Sequence, residues 1–407
     1  MKPLRTNRPD TPRGQVVVIV ALAMVLMVAM VGLVVDGGYA WGRQRQTQNA
    51  SDAASEAGAV VLAQNIANVQ PAKTDADVDA AVAAIFASNG TARKAAYYTD
   101  VSGNMLTPVG VTTVDPAAAA LVGGGAIPPG ASGVRAIGSQ TFDTFLARVI
   151  GINTFTATTP ATAVAGYLTQ ICSAEAGCDV IPITFPVTLL SCTNTGQAPE
   201  FVQPPSFWQI SNDPIVIPLC GNGAGNVGWI DWYPDDTFCG NGAAEIVCEI
   251  NNPNNPAIDL PSWQYVAQTG NISSSQVENA LNTKYAGKIV QVPQFDITCN
   301  TKPTGPLITD CPTANVGGQG QNQWYHFPQF AGFQFCGPNI VECTNKGFTK
   351  GAYVNGNNPI CETQNYGVPG TGQCLVGRFV RFISQGTVGP GTGSSSGTDA
   401  IGVQLIH

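Results

Sequence analysis

Apolar residues cluster at one end of this chain. Val16 to Val35, "VVVIVALAMVLMVAMVGLVV", contains no charged residue, and at 1.5 Å rise per residue its length matches a hydrocarbon core of roughly 30 Å. A signal-peptide apolar region runs to about 7 to 15 residues and ends in a small-x-small cleavage site. A spanning helix is therefore expected, with cleavage after Ala40 as the weaker alternative. Lys2, Arg5, Arg8 and Arg13 precede the run against the single acid Asp10. The positive-inside bias thus puts the N-terminus in the cytosol and everything after Asp36 outside. Tyr39 and Trp41 stand where interfacial aromatics anchor a span.

Past Trp41 the pattern changes to small residues. Ala50, Ala54 and Gly58 recur every four residues with Ala53 and Ala57 beside them, a stripe that lets another helix or sheet approach closely. Gln48, Asp52 and Glu56 form a parallel polar stripe. Residues 36 to about 69 read as helix, continuous with the span. "TDADVDAAVAAIFASNG" predicts a second helix, with Thr74 or Asp75 as cap, apolar Val78, Val82, Ile85 and Phe86, and a terminal Gly90. A hairpin near 95 to 115 follows, then an Ala, Gly and Pro loop from Pro116 to Ser132, then strand, helix (Thr141 to Ile150) and strand.

From residue 171 to 385 short apolar runs such as "VIPITFPVTLL", "SNDPIVIPLC", "KIVQVPQFDITC" and "GRFVRFISQGTV" alternate with Asn, Gly and Pro clusters, the pattern of short strands on long loops. Gly386 to Gly397 reads as linker and "IGVQLI" as a final strand. The expected fold class is α+β: a transmembrane helix continuing into an extracytoplasmic helix, a small α+β domain, then a β-rich, disulfide-stapled domain. The boundaries are 1–15 cytosolic, 16–35 transmembrane, 36–170 α+β, 171–385 Cys-rich β, and 386–407 linker and C-terminal strand.

Composition sharpens the compartment. Only 11% of residues are charged, well below the roughly 25% of ordinary soluble proteins. All 12 cysteines (Cys172, Cys178, Cys192, Cys220, Cys239, Cys248, Cys299, Cys311, Cys336, Cys343, Cys361 and Cys374) lie after residue 170. No pair has the Cys-x-x-Cys spacing of a zinc or thioredoxin motif, so disulfides in an oxidising compartment are expected. Between Arg148 and Lys284 there is no Lys, Arg or His, while eleven acids fall there. Nucleic acid is excluded as a partner, because its phosphates demand basic residues.

The stretch from Arg13 to Ala63, "RGQVVVIVALAMVLMVAMVGLVVDGGYAWGRQRQTQNASDAASEAGAVVLA", resembles the N-terminal region of the TadE/TadG-like proteins of Flp (tight-adherence) pilus assembly. In that family a Gly opens an apolar helix, an Asp-x-Gly closes it, and a Gln-x-Ala-x-Asp-Ala-Ala stretch follows. Gly14, Asp36, Gly38, Gln48, Ala50, Asp52, Ala53 and Ala54 take those places, and Ser51 and Ser55 stand where alanines are usual. The likeness extends over Gly133 to Gly166. A type IV prepilin cut after Gly14 would carry Glu five residues on; Ile19 stands there, which argues against processing into a major filament subunit. The Asp-x-Ser-x-Ser metal site of some TadG-like chains is approached only by "DVSGN" at Asp100, which reads as a hairpin turn.

Candidate chemistry is sparse. His326 and His407 are the only histidines, and no P-loop or His-Glu-x-x-His motif occurs. Gly393, Ser395 and Gly397 match Gly-x-Ser-x-Gly only within a low-complexity tail. No enzyme is expected. Asp231, Asp235 and Asp236 in "GWIDWYPDDTFCGNG" are the acids that could hold calcium; otherwise no cofactor is expected. Trp208, Trp229, Trp232, Trp263 and Trp324 could form a sugar-stacking face or fill a thin core. Two functions follow as expectations. The first, implied by the resemblance, is a non-enzymatic membrane anchor or assembly component of a tight-adherence pilus, with the bilayer and other pilus-assembly proteins as partners. The alternative is a surface adhesin whose Cys-rich domain binds carbohydrate or protein, with or without calcium; a secreted hydrolase ranks last.

Overall fold

A computed structural model describes residues 15–109, 119–171, 174, 178–187, 213–218, 227–235, 238–269, 274–317, 322–345, 353–354, 374–389 and 400–406. Its longest element is helix α1, Gln15–Ile66, 52 residues without a break, or roughly 78 Å at 1.5 Å per residue. The apolar run and the small-residue stretch are one rod. Residues 16 to 35 are exposed all round but for Gly32, whereas beyond them one face is buried: Thr47, Ala50, Ser51, Ala54, Ser55, Leu62 and Ala63, each under 2% exposed.

That face lies on the first sheet. Its strands are β1 (Ala92–Thr99), β2 (Gly133–Asp143), β3 (Thr154–Ile171), the two-residue β7 (Ile258–Asp259), β15 (Ile383–Gln385), β16 (Thr387–Gly389) and β17 (Ile401–Ile406). The order is β1-β2-β3-β17-β15, antiparallel except for the β15–β17 pair, and β16 joins β3 near its end. The small-residue stripe is therefore consumed within the chain. At Gly58 a Cβ would stand 2.8 Å from a methyl of Val134 on β2 and 3.1 Å from one of Val82, so the rod seats only because that position is bare. Ser51 fastens the contact: its hydroxyl donates to the Thr159 carbonyl at 2.8 Å and accepts the Gly138 N–H at 3.0 Å.

Helix α2, Asp75–Ser88, packs against α1 in this core with Val78, Val82 and Phe86. Thr74, one of the two caps the sequence offers, starts the helix, and its backbone N–H donates to Asp77 at 2.7 Å. Asp75 does more, accepting the Tyr98 hydroxyl at 2.6 Å and the N–H groups of Gly123 and Gly125 at 2.9 and 2.7 Å. Burial acts to raise its carboxyl pKa. The Tyr98 hydroxyl, the two N–H groups and the Arg93 charge outweigh that and hold it below the ordinary value of 3.8.

Three expectations change in this half. The helix read over Thr141 to Ile150 is strand as far as Asp143, then a single 3-10 turn, Ala147–Ile150; Asp36, described below, takes up the backbone donors that a longer helix would have used. The hairpin after β1 turns at Asp100, which accepts the N–H groups of Ser102 and Asn104, but among the described residues its return leg is one bridge, Thr99 to Met105. β1 pairs along its length with β2 instead. Thr387–Gly389, read as linker, is paired strand, while 390 to 399 lie outside the described residues.

The second sheet has ten strands: β4 (Ile183–Pro186), β5 (Ile215–Pro218), β6 (Gly228–Ile230), β8 (Ser262–Thr269), β9 (Ile289–Phe295), β10 (Ile297–Cys299), β11 (Gln323–Phe327), β12 (Gln329–Phe335), β13 (Tyr353–Val354) and β14 (Cys374–Val380). β7 (Ile258–Asp259) instead pairs with the end of β3. The core is aromatic, with Phe333 against Phe185, Phe335 and Phe379 at 5.0 to 5.2 Å between ring centres. Helices α3 (Ala243–Asn251) and α4 (Ser275–Tyr285) pack on it through Ile246, Ile250, Val277 and Leu281; α5 (Val341–Asn345) is one short turn. Disulfides join Cys239 to Cys248, Cys299 to Cys311 and Cys336 to Cys343, and Cys178 and Cys374 are also disulfide-bonded. Cys172, Cys192, Cys220 and Cys361 lie outside the described residues.

Two measurements test this packing on the detergent-solubilised chain. Gly58→Leu overpacks the rod against Val134 and Val82 and lowers thermal stability by about 1–3 kcal/mol. Gly37→Ala, with nothing within 4 Å, is neutral or gains up to about 1 kcal/mol of helix propensity; equal effects contradict the seating. A depressed Asp75 pKa contributes stability that is present above the unfolded value and lost as pH falls through the folded one. Asp75→Asn therefore costs about 1–3 kcal/mol at neutral pH, and its deficit relative to wild type shrinks in acid melts below the ordinary value of 3.8.

Candidate functional site

The residues that the sequence singles out along the N-terminal rod converge on the loop between β2 and β3. Asp36 sits at the outer end of the apolar run and is 5% exposed. One carboxylate oxygen accepts the Phe145 N–H at 2.7 Å; the other accepts those of Leu146 and Ala147 at 3.0 and 2.6 Å. Bonds from backbone donors to a carboxylate are the strong kind, and here they cap the 3-10 turn Ala147–Ile150 from more than a hundred residues away. The loop is closed on itself as well: Thr144 N–H donates to the Asn153 carbonyl, Val149 N–H to Leu146 and Ile152 N–H to Ala147.

Around this clamp the rod contributes aromatic and basic groups. Tyr39 stands edge-on to both Phe142 and Phe145, with ring centres 5.2 Å apart. Arg43 donates to the Tyr39 hydroxyl at 2.6 Å. Trp41 is 63% exposed and lies under the Arg45 guanidinium. Gly38 has open space around it. Further along, Gln48 donates to Asp52 at 2.7 Å, an i,i+4 pair on the helix surface. Gly14 lies outside the described residues. Sequence reading found Asp36 but not its partners, since nothing local in "DTFLARVI" announces three donors waiting for a distant carboxylate.

The distal candidates do not converge in the same way. Asp231 accepts the Tyr233 N–H at 3.0 Å, closing an Asx turn; Asp235 is exposed and Asp236 lies outside the described residues. Among the described residues no group of three or more His, Cys, Asp or Glu is arranged to hold a metal ion. His326 is 3% exposed, with Nδ1 2.7 Å from Asp296 and Nε2 3.1 Å from the Pro306 carbonyl. Trp229, Trp232 and Trp263 are buried, and Trp263 packs on Cys299 and Cys311. All three fill core, Trp263 beside a disulfide and Trp229 and Trp232 among apolar side chains of the second sheet and its neighbours; the sugar-stacking face is not formed by these three.

The Asp36 clamp predicts a local effect. Asp36→Asn replaces one acceptor oxygen by a donor, so the amides of Phe145, Leu146 and Ala147 exchange with deuterium about tenfold faster, while those of residues 50 to 62 are unchanged. Equal exchange in both variants contradicts the clamp.

The chain matches no curated protein and no solved structure. Residues 14–61, the rod from its apolar start through Asp36 to the small-residue face, match the TadE/G-like Flp pilus-assembly domain.

Proposed function

We propose that this chain is a membrane-anchored, non-enzymatic component of a Tad-type pilus assembly apparatus or of its attachment to the cell envelope. The observation that carries the reading is the coincidence of the matched TadE/G-like segment with a helix whose first part is long and apolar enough to cross a membrane. The basic residues before Val16 favour a cytosolic N-terminus with the bulk of the chain outside, where the disulfides would persist. Its work is mechanical. The rod is both the anchor and a core element of the first sheet, so a load on the outer domain passes to the bilayer through packed side chains rather than through a linker. Other pilus-assembly proteins are the expected partners, met on surfaces other than the stripe already covered by β2 and β3.

Removing the gene product and restoring it tests the role: assembled pili are expected to vanish and return, and the solubilised chain to co-purify with pilus-assembly proteins. Normal piliation without it contradicts the reading. Protease treatment of intact cells tests orientation, with loss of the distal half and retention of Met1 expected. A broad-specificity protease is required, because no Lys or Arg occurs from Val149 to Thr283.

A further inference from the structure

We propose that the loop between β2 and β3 is a second membrane contact, its apolar tip immersed among the lipid acyl chains of the outer leaflet beside the spanning helix. The inference rests on the reading that residues 16 to 35 cross a bilayer, and adds an element that the N-terminal match does not cover.

Depth is the first argument. Leu146 lies against Gly32, where a Cβ would come within 3.0 Å of its own Cβ. Gly32 is one turn, roughly 6 Å, below Asp36 along the rod. Between tip and rod runs a groove of about 670 Å³ lined by Val28, Gly32, Leu146, Val149, Ile152 and Phe155. Val28 is roughly 12 Å below Asp36, inside the apolar run. A loop that reaches this level cannot avoid the hydrocarbon edge if the run spans.

Chemistry is the second. Phe145, Val149, Ile152 and Phe155 are 59, 81, 41 and 36% exposed, a cluster that water penalises. Its apolar surface continues directly onto Val28 and Leu33 of the rod, which are 61 and 77% exposed and face lipid on the same reading. Tyr39 and Arg43, roughly 5 and 11 Å beyond Asp36 along the rod, line a polar hollow with Arg148 and its ion-pair partner Asp143, as aromatic and basic groups do where they meet lipid headgroups. This continuity, from headgroup-type to acyl-type surface on both walls of the groove, selects lipid as the occupant.

The backbone supplies the third. Irregular chain enters hydrocarbon only where its polar groups are already paired. The N–H groups of Phe145, Leu146 and Ala147 are taken by Asp36, and those of Thr144, Val149, Gly151 and Ile152 by carbonyls within the loop. The clamp thus closes the donors of the segment that descends furthest.

The test uses the full chain, purified and reconstituted alone into vesicles of phosphatidylcholine and phosphatidylglycerol doped with a phospholipid carrying an acyl-chain diazirine. After photolysis, mass spectrometry of chymotryptic peptides is expected to find label in residues 145–155 as well as in 16–35. Val149→Asp, at a position exposed enough to spare the fold, is expected to lose the tip label and keep that in 16–35. Label in 16–35 with none at the tip, as a second copy seated in the groove would produce, overturns this inference and leaves the anchoring intact. An unchanged tip label in Val149→Asp also overturns it. Label in neither segment overturns the anchoring reading as well.

Discussion

One constraint organises the molecule: α1 is a single unbroken helix with two unlike surfaces along its length. Its first turns carry apolar side chains on every face, and its later turns carry small ones on the face that meets β2 and β3. Gly58 and Ser51 let strands and helix come close enough for the Ser51 hydroxyl to donate to the Thr159 carbonyl and accept the Gly138 N–H. The helix cannot shift or rotate against the sheet without breaking these bonds or driving Val134 into the rod. If the apolar run spans a bilayer as proposed, the tilt of that run and the orientation of the domain packed on the rod are therefore one variable.

The distal half is tied to the same rod. β3 is long enough to serve β2 at one end and β16, β17 and β7 at the other, so the last strand of the chain, Ile401–Ile406, closes the sheet on which the first helix lies. Arg381 adds a direct link, donating to the Ala67 and Asn68 carbonyls just past the end of α1 at 2.8 Å each, where a cation also complements the helix dipole. The disulfides act differently. Among the described residues, Cys239–Cys248, Cys299–Cys311 and Cys336–Cys343 each span a short stretch of sequence, 7 to 12 residues, so these three stiffen individual loops around α3, β10 and α5 rather than joining the two sheets.

Much of this was readable from the residues alone, and the division follows the range of the interactions. The apolar run, its continuation into a rod, the α2 cap at Thr74, and the strands in "KIVQVPQF" and "GRFV" depend on local period and composition. The small-residue stripe was readable as a close-packing face, though not whose surface it would meet. What escaped was set at long range. "DTFLARVI" has helical composition but forms a single turn because a carboxylate more than a hundred residues earlier holds its donors. α3 and α4 lie within a stretch dominated by strand-like runs, although Val277 and Leu281 carry a helical spacing in "SQVENALNTKY". The burial of Trp229, Trp232 and Trp263 depends on neighbours brought together only by the second sheet.

Retention of the apolar run is the claim on which the mechanical account stands, and sequencing the N-terminal region of the mature chain recovered from fractionated cells tests it most directly. The account predicts a membrane-fraction polypeptide that still contains residues 16 to 35 ahead of Asp36. A soluble mature chain beginning at or near Trp41 would contradict it, because the rod would then end in water and could transmit nothing to a bilayer.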